Sequence, residues 1–198
     1  MGMTMTEKIL ARHAGKKEVK AGDIVVCDID RAVLPELGFT LYPLPKKVWD
    51  ASKICLVTDH CVPASSVDSA NEMKAMREFA HRMGIKDLID VGKHGITHVV
   101  LSERGLALPG TTLANSDSHT CSSGALNCAA RGVGQLDMIY IMCTGKTWFP
   151  VGPTVRFIVS GKLPEGVYSR DVVHYAAGVY GDFANHNVEW FGPTVEEM

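Results

Sequence analysis

The chain has 198 residues, of which 46% are hydrophobic, and this fits one ordinary soluble domain or a part of a larger one. The net charge of −2 gives no reason to expect nucleic acid or an anionic membrane surface as a partner. No apolar run approaches the ~20 residues that a membrane helix needs, and residues 1–20 lack the apolar core of a signal peptide. Six cysteines without a Cys-x-x-Cys pair favour a reduced, cytoplasmic chain.

Short helices and strands are predicted to alternate along the whole chain. In chain order they are a helix opened by the capping box Thr4-x-x-Glu7, strand 24–29, strand 53–58, helix 69–83, strand 88–91, helix 96–104, strand 111–114, helices 125–130 and 136–143, strand 154–160, helix 169–179 and strand 187–191. Residues 34–46 hold three prolines and a glycine, which predicts a loop or broken structure. The alternation predicts a parallel α/β architecture.

Ionisable side chains follow three of the predicted strands. Asp59-His60 end one strand, His98 lies just inside the helix after the next, and Asp117-Ser118-His119 follow a third. Ligands of open α/β sheets bind at such strand ends, and a histidine held by a carboxylate can protonate a leaving group. Each side chain alone also has a structural explanation, such as helix capping by Asp117. Their grouping favours a site that moves protons, with Glu189 on the last strand as a further candidate.

Three other patterns lack a residue that their function needs. Thr144-Gly-Lys-Thr147 has no glycine at position 140 for a phosphate loop, and Gly132-Val-Gly134 has no third glycine for a dinucleotide site. His94 and His98 are four residues apart, as two zinc ligands on a helix would be, but His94 lies in a glycine-flanked loop.

Many short motifs occur in an order similar to that of the aconitase superfamily. They are Asp59-His60-x-x-Pro63, Gly95-Ile-Thr-His98 with Glu103 and Gly105, Pro109-Gly110, Asp117-Ser-His-Thr120, Gly124-Ala125, Gly132-Val-Gly134 with Asp137, Thr144-Gly145 with Trp148, Gly161-x-Leu163, Gly166-Val167, Asp171-Val172, and Glu189 with Gly192-Pro193. Together they cover nearly the whole chain. The chain most resembles the large subunits of the isopropylmalate dehydratase, homoaconitase and dimethylmalate dehydratase group.

The resemblance implies the first portion of a three-layer α/β/α body, with residues 1–198 as one domain cut before the cluster ligands. It implies a hydro-lyase for a 2-hydroxy di- or tricarboxylic acid, in which one iron of a [4Fe-4S] cluster acts as Lewis acid. By the same resemblance, Asp59-His60 supply the acid that protonates the departing hydroxyl, and His98 pairs with Asp117. The remaining implied roles are a substrate-carboxylate contact for Ser118 and positions near the iron-bound water for His119 and Glu189.

The cluster cysteines of the family lie downstream of Met198, and Cys121 and Cys128 do not match them. We therefore expect no metal ligands within this chain, no cluster held by it and little activity alone. The resemblance also implies a small swivel-domain subunit as partner and a role in amino-acid biosynthesis. Two alternatives stay open, namely a zinc-dependent hydrolase that uses His60, His98 and His119, and a non-catalytic fragment that docks with partner subunits. The sequence leaves the identity of the hydroxy acid open.

Overall fold

The computed structural model describes residues 2–181 and 183–198, and in them the chain forms six α-helices and nine strands. The helices are α1 (Met5–His13), α2 (Val67–Met83), α3 (Thr97–Glu103), α4 (Gln135–Thr144), α5 (Ser169–Tyr180) and α6 (Pro193–Glu196). The strands are β1 (Ile24–Asp28), β2 (Arg31–Pro35), β3 (Ile54–Val57), β4 (Asp87–Ile89), β5 (Thr112–Asn115), β6 (Ala129–Gly132), β7 (Lys146–Pro150), β8 (Thr154–Ile158) and β9 (Asn187–Phe191). Short 3₁₀ segments cover Ala51–Lys53 and Thr120–Leu126.

A five-stranded parallel sheet forms the centre of the fold, with the strand order β4-β3-β2-β5-β6. From β2 the chain first builds outward through β3 and β4, and it then crosses to the other side of β2 for β5 and β6. The strand order therefore reverses between β2 and β5. In open parallel sheets the crevice beyond the carboxyl ends of the strands at such a switch point is where ligands bind.

Both faces of this sheet are apolar, as expected for parallel strands that are covered by helices. One face packs against α1, α2 and α4 through side chains that include Leu10, Phe79 and Ile141. The other face packs against α3 through Val100 and Leu101. The predicted three-layer α/β/α arrangement is confirmed. In the described part of the chain, no helix is long and apolar enough to cross a membrane.

Local signals set several helix ends as the sequence predicts. The Thr4 hydroxyl accepts from the Glu7 N–H, and the Glu7 carboxylate accepts from the Thr4 N–H at 2.7 Å, which completes the capping box of α1. Helix α2 ends at Gly84, whose φ of +70° is the left-handed conformation that glycine adopts without strain.

Five strands form the predicted parallel sheet, whereas four strands form two separate pairs. Strand β1 pairs antiparallel with β7, and β8 pairs parallel with β9. We predicted loop or broken structure for residues 34–46. Strand β2 extends into the beginning of this stretch and ends at Pro35. Neither β2 nor β7 was predicted, because both are short and are stabilised by partners far away in the sequence.

The predicted helix 125–130 is wrong. The 3₁₀ segment ends at Leu126, Asn127 turns the chain in a left-handed conformation with a φ of +57°, and β6 then pairs with β5. A short apolar run does not distinguish a buried helix from a buried strand, and here pairing with a neighbouring strand decides the outcome.

Candidate functional site

Side chains from three loops meet at the carboxyl end of the parallel sheet. Asp59 and His60 follow β3, His98 lies in the first turn of α3, and Asp117 follows β5. Parallel strands bring their carboxyl ends to one edge, so residues that are far apart in the sequence become neighbours there. The strand order reverses between β2 and β5 at this same carboxyl edge.

The Asp117 carboxylate connects the imidazoles of this cluster. Its Oδ1 lies 2.7 Å from His98 Nε2 and accepts from the His119 N–H at 2.8 Å, and its Oδ2 lies 3.3 Å from His60 Nε2. Since a carboxylate oxygen accepts, a neutral His98 ring carries its proton on Nε2. One carboxylate therefore faces two imidazoles that arrive from different strand ends.

The surroundings of Asp117 keep it ionised. Burial by itself raises its pKa, but the hydrogen bonds from the His119 N–H and the His98 ring, with the charges of nearby histidines, outweigh burial. The net result is a pKa below the ordinary value of 3.8. A fixed negative charge at this position stabilises a protonated imidazole beside it.

The three imidazoles differ in their access to solvent. The side chain of His98 is 19% exposed and that of His60 is 37% exposed, whereas that of His119 is 81% exposed. His119 Nδ1 lies 3.1 Å from the Ser118 hydroxyl and 3.8 Å from Asp117 Oδ1. Ser118 and His119 therefore form the outer, accessible side of the cluster.

Asp59 uses its carboxylate to hold α3 in place. Its Oδ2 accepts from the Thr97 N–H, at 2.9 Å, where a carboxylate also complements the positive end of the helix. This bond fixes the first turn of α3, and hence His98, relative to β3. The carboxylate partner of the His60 ring is Asp117 rather than its sequence neighbour Asp59.

Glu189 occupies a different setting on β9. Its carboxylate accepts from the Met5 N–H at the start of α1, at 2.9 Å, and lies 3.5 Å from the Arg156 guanidinium. Within residues 2–181 and 183–198, no hydrogen bond or ion pair joins Glu189 to His119. A role for Glu189 beside His119 stays a prediction.

Several buried polar atoms close to the cluster in sequence lack a hydrogen-bond partner among the described residues. They are Thr97 Oγ1, His98 Nδ1, Ser116 Oγ and both amide atoms of Asn115. Buried polar groups are rarely left unpaired in folded proteins, and exceptions are common where a bound molecule or ordered solvent completes the bonding. Their concentration at the carboxyl end of β5 and the start of α3 is typical of a binding site.

Glu36, which the sequence interpretation did not select, also belongs to this edge of the sheet. It directly follows β2, is fully buried, and accepts from the Asp59 and Cys61 N–H groups. An acid immediately after an apolar strand is the available signal in the sequence. The prolines around it directed the interpretation towards a loop instead.

The comparison with protein families shows to which family the chain belongs. The aconitase family (aconitate hydratase) matches residues 38–198. The chain belongs to the aconitase family. This agrees with the resemblance that the ordered motifs suggested.

Several curated members of the aconitase family match the whole chain. The 3-isopropylmalate dehydratase large subunit of Mycolicibacterium smegmatis is 49% identical over all of this chain and 47% of its own length. The 3-isopropylmalate dehydratase large subunit 1 of Methanopyrus kandleri is 45% identical, with 49% of its length covered, and the Aquifex aeolicus large subunit is 42% identical, with 48% covered. The chain thus spans about half the length of the curated relatives it matches.

The buried cysteines of this aconitase-family chain, Cys27, Cys55 and Cys128, do not fit as ligands of an iron–sulfur cluster. Burial raises the pKa of Cys27 to about 11 and that of Cys55 to about 12, so both stay protonated, whereas cluster ligands are thiolates. Within the described residues, the group whose ligand atoms converge as a metal site requires is His98, Asp117 and His119, and it contains no cysteine. An iron–sulfur cluster would therefore need thiolate ligands from outside the described residues.

Proposed function

We propose that this chain provides the proton-transfer half of a hydro-lyase site for a small hydroxycarboxylic acid. The observation that carries the proposal is the Asp117 carboxylate, which faces His60 and His98 at the carboxyl edge of the sheet. Membership of the aconitase family and similarity to 3-isopropylmalate dehydratase large subunits support the same reaction class. Loss of water beside a carboxylate needs an acid for the hydroxyl and a base for the neighbouring carbon-bound proton.

In this proposal His60, whose Nε2 lies 3.3 Å from Asp117 Oδ2, donates a proton to the departing hydroxyl. The C–O bond breaks with its electron pair on oxygen, and the oxygen leaves as water with the proton from the imidazole. The neighbouring C–H bond supplies the electron pair of the new double bond, and its proton goes to a base that the proposal places outside the described residues. His98 holds Asp117 in orientation through the 2.7 Å contact, and His119, at the exposed side, faces the water.

We propose that Ser118 binds a carboxylate of the substrate. When His119 Nδ1 donates to the Ser118 hydroxyl at 3.1 Å, the proton of that hydroxyl is free to be donated to a carboxylate oxygen. The relatives' names make 3-isopropylmalate the first substrate to test, ahead of homocitrate and dimethylmalate. Because those relatives are named large subunits, we further propose a small-subunit partner, and we place the complex in the cytoplasm on the strength of the cysteine usage.

The proposal assigns any [4Fe-4S] cluster to residues outside this chain. A cluster would supply Lewis-acid assistance to the leaving hydroxyl. The residues around Asp117 would then contribute the orientation of the substrate and the movement of the proton. Their arrangement is built by hydrogen bonds within this chain.

The test is an assay of 3-isopropylmalate dehydration with the protein that carries this chain and its small subunit. Formation of the carbon–carbon double bond is followed by ultraviolet absorbance. His98→Asn, which removes the ring that orients Asp117, should lower kcat about 10²-fold, and His94→Asn, in an exposed loop of the same region, should leave it unchanged. Absence of turnover with every hydroxy acid of this class, or full activity of His98→Asn, would refute the proposal.

One observation favours a second candidate function, a metal-dependent hydrolase. One ligand atom from each of His98, Asp117 and His119 lies within 4.8 Å of the others, which is compatible with a single divalent ion. Such a site leaves an open position for a metal-activated water. Stoichiometric zinc that His119→Ala abolishes would support this candidate, and a purified protein that stays folded and takes up no zinc would exclude it.

A further inference from the structure

Glu36 is a buried acid with no cationic partner in the described part of the chain. It is fully inaccessible to solvent, and none of the ion pairs among residues 2–181 and 183–198 includes it. A buried carboxylate is costly unless hydrogen bonds replace its hydration. The two carboxylate oxygens of Glu36 therefore need hydrogen-bond donors from the protein in place of water.

Those donors are the two backbone N–H groups on either side of His60. Glu36 Oε2 accepts from the Asp59 N–H at 2.8 Å, and Oε1 accepts from the Cys61 N–H at 2.7 Å. Both distances are those of well-formed hydrogen bonds, and together the two bonds hold the main chain before and after His60. A single side chain therefore fixes the loop that carries this imidazole.

The position of Glu36 in the sheet lets these two hydrogen bonds set the position of His60. Strand β2 lies between β3 and β5, and Glu36 is the first residue after β2. It thus holds the loop after β3 at a set distance from Asp117, whose Oδ2 lies 3.3 Å from His60 Nε2. The same loop carries Asp59, whose bond to the Thr97 N–H fixes the start of α3 and His98.

We propose that Glu36 is a positioning residue that holds His60 against Asp117 for proton transfer. The inference rests on the proposed hydro-lyase function. In this inference Glu36 acts on His60 through the main chain, without contact with the substrate. Displacement of a catalytic group by about 1 Å can cost 10²-fold in rate. Loss of the two Glu36 hydrogen bonds should therefore lower kcat more than it changes KM.

The test compares Glu36→Gln with Glu72→Gln. The amide that Glu36→Gln introduces keeps the size of the side chain but turns its NH₂ towards one of the two N–H groups. Glu72 is the matched control because its carboxylate also accepts a backbone N–H, that of Thr40 at 3.0 Å, away from the histidines. The first readout is the NMR signal of the His60 ring together with amide hydrogen exchange at Asp59 and Cys61.

In Glu36→Gln, the His60 ring signals should move and the Asp59 and Cys61 amides should exchange faster, with neither change in the control. The second readout, in the protein assayed with its small subunit, is a fall in kcat of about 100-fold with little change in KM. The NMR readout needs no turnover, so an inactive wild type would refute the proposed function and leave this test intact.

Unchanged His60 signals and amide exchange in Glu36→Gln would overturn the proposal, and so would a kcat equal to that of the control. If Glu36→Gln does not fold, Glu36→Asp replaces it, since it keeps both oxygens one methylene further away. That variant should show the same changes at His60 in a smaller degree. A folded Glu36→Asp protein with wild-type His60 signals and wild-type kcat would equally overturn the inference.

Discussion

Replacement of Asp117 by asparagine should destabilise the protein by a predictable amount. The asparagine keeps the shape of the side chain and can still accept from the His119 N–H and His98, at 2.8 and 2.7 Å in the wild type. It loses the charge that strengthens both bonds. Hydrogen bonds to charged groups are worth about 1 kcal/mol more than neutral ones, so two of them give a loss of about 2 kcal/mol.

The loss of stability in Asp117→Asn should become smaller as the pH falls. The pKa of Asp117 is lower in the folded chain than its ordinary value of 3.8. Its contribution to stability is therefore present above pH 3.8 and disappears as the pH falls through the lower folded pKa. The difference between the wild type and Asp117→Asn should be complete at about pH 5 and should shrink at more acidic pH.

Urea unfolding of both proteins at about pH 5 and at a more acidic pH measures this difference in stability. Thermal unfolding at about pH 5 should show a fall in Tm of roughly 4–8 °C in Asp117→Asn. Asp87→Asn is the matched control, because it breaks the partly exposed contact with Arg31 at 2.7 Å. Such surface pairs are worth about 0–1 kcal/mol. Equal losses in the two variants, or a loss for Asp117→Asn that does not change with pH, would contradict the reasoning.

Three further variants test the surrounding structure by denaturant unfolding. His13→Ala should lower the free energy of unfolding by about 2 kcal/mol, because its ring bridges the α1 carbonyl of Ile9 and the Asp30 carboxylate at 2.8 and 2.7 Å; the exposed His81→Ala is the control, and equal effects would refute this link. Glu189→Gln should cost about 1 kcal/mol by weakening the bond that it accepts at the start of α1, and an unchanged midpoint would contradict that contact. Gly192→Ala should cost more than about 1 kcal/mol, since its φ is +107° and a Cβ would clash with the backbone oxygen of Val159, whereas Gly178→Ala, in open space on α5, should stabilise by about 0.4–1 kcal/mol; the reverse order would refute the prediction.

Patterns that depend on neighbouring residues were predictable from the sequence. The Thr4-x-x-Glu7 capping box and the amphipathic helix that ends at Gly84 occur where predicted. Strand β3 was predicted because four successive buried residues leave a clear apolar run. The positions of Asp59, His98 and Asp117 at the carboxyl edge follow from these strands and from the rule that parallel strands share an edge.

Features that depend on distant partners were not predictable. Strand β6 was taken for a helix, because its apolar run has no period of its own and pairing with β5 decides its state. The link between His13 and Asp30 joins α1 to the loop before β2, and nothing in their spacing indicates it. Glu36 contributes through two backbone N–H groups 23 and 25 residues away, a relation that only the folded sheet creates.

The most direct test of the central claim is a double-mutant cycle on kcat with His98→Asn and Asp117→Asn. If the imidazole and the carboxylate act as one unit, the double variant loses no more activity than the more damaged single variant, because each change already disables the pair. We predict this result for 3-isopropylmalate dehydration, the proposed reaction, by the protein assayed with the proposed small subunit. Losses that multiply in the double variant would mean that His98 and Asp117 act independently, and they would contradict the account.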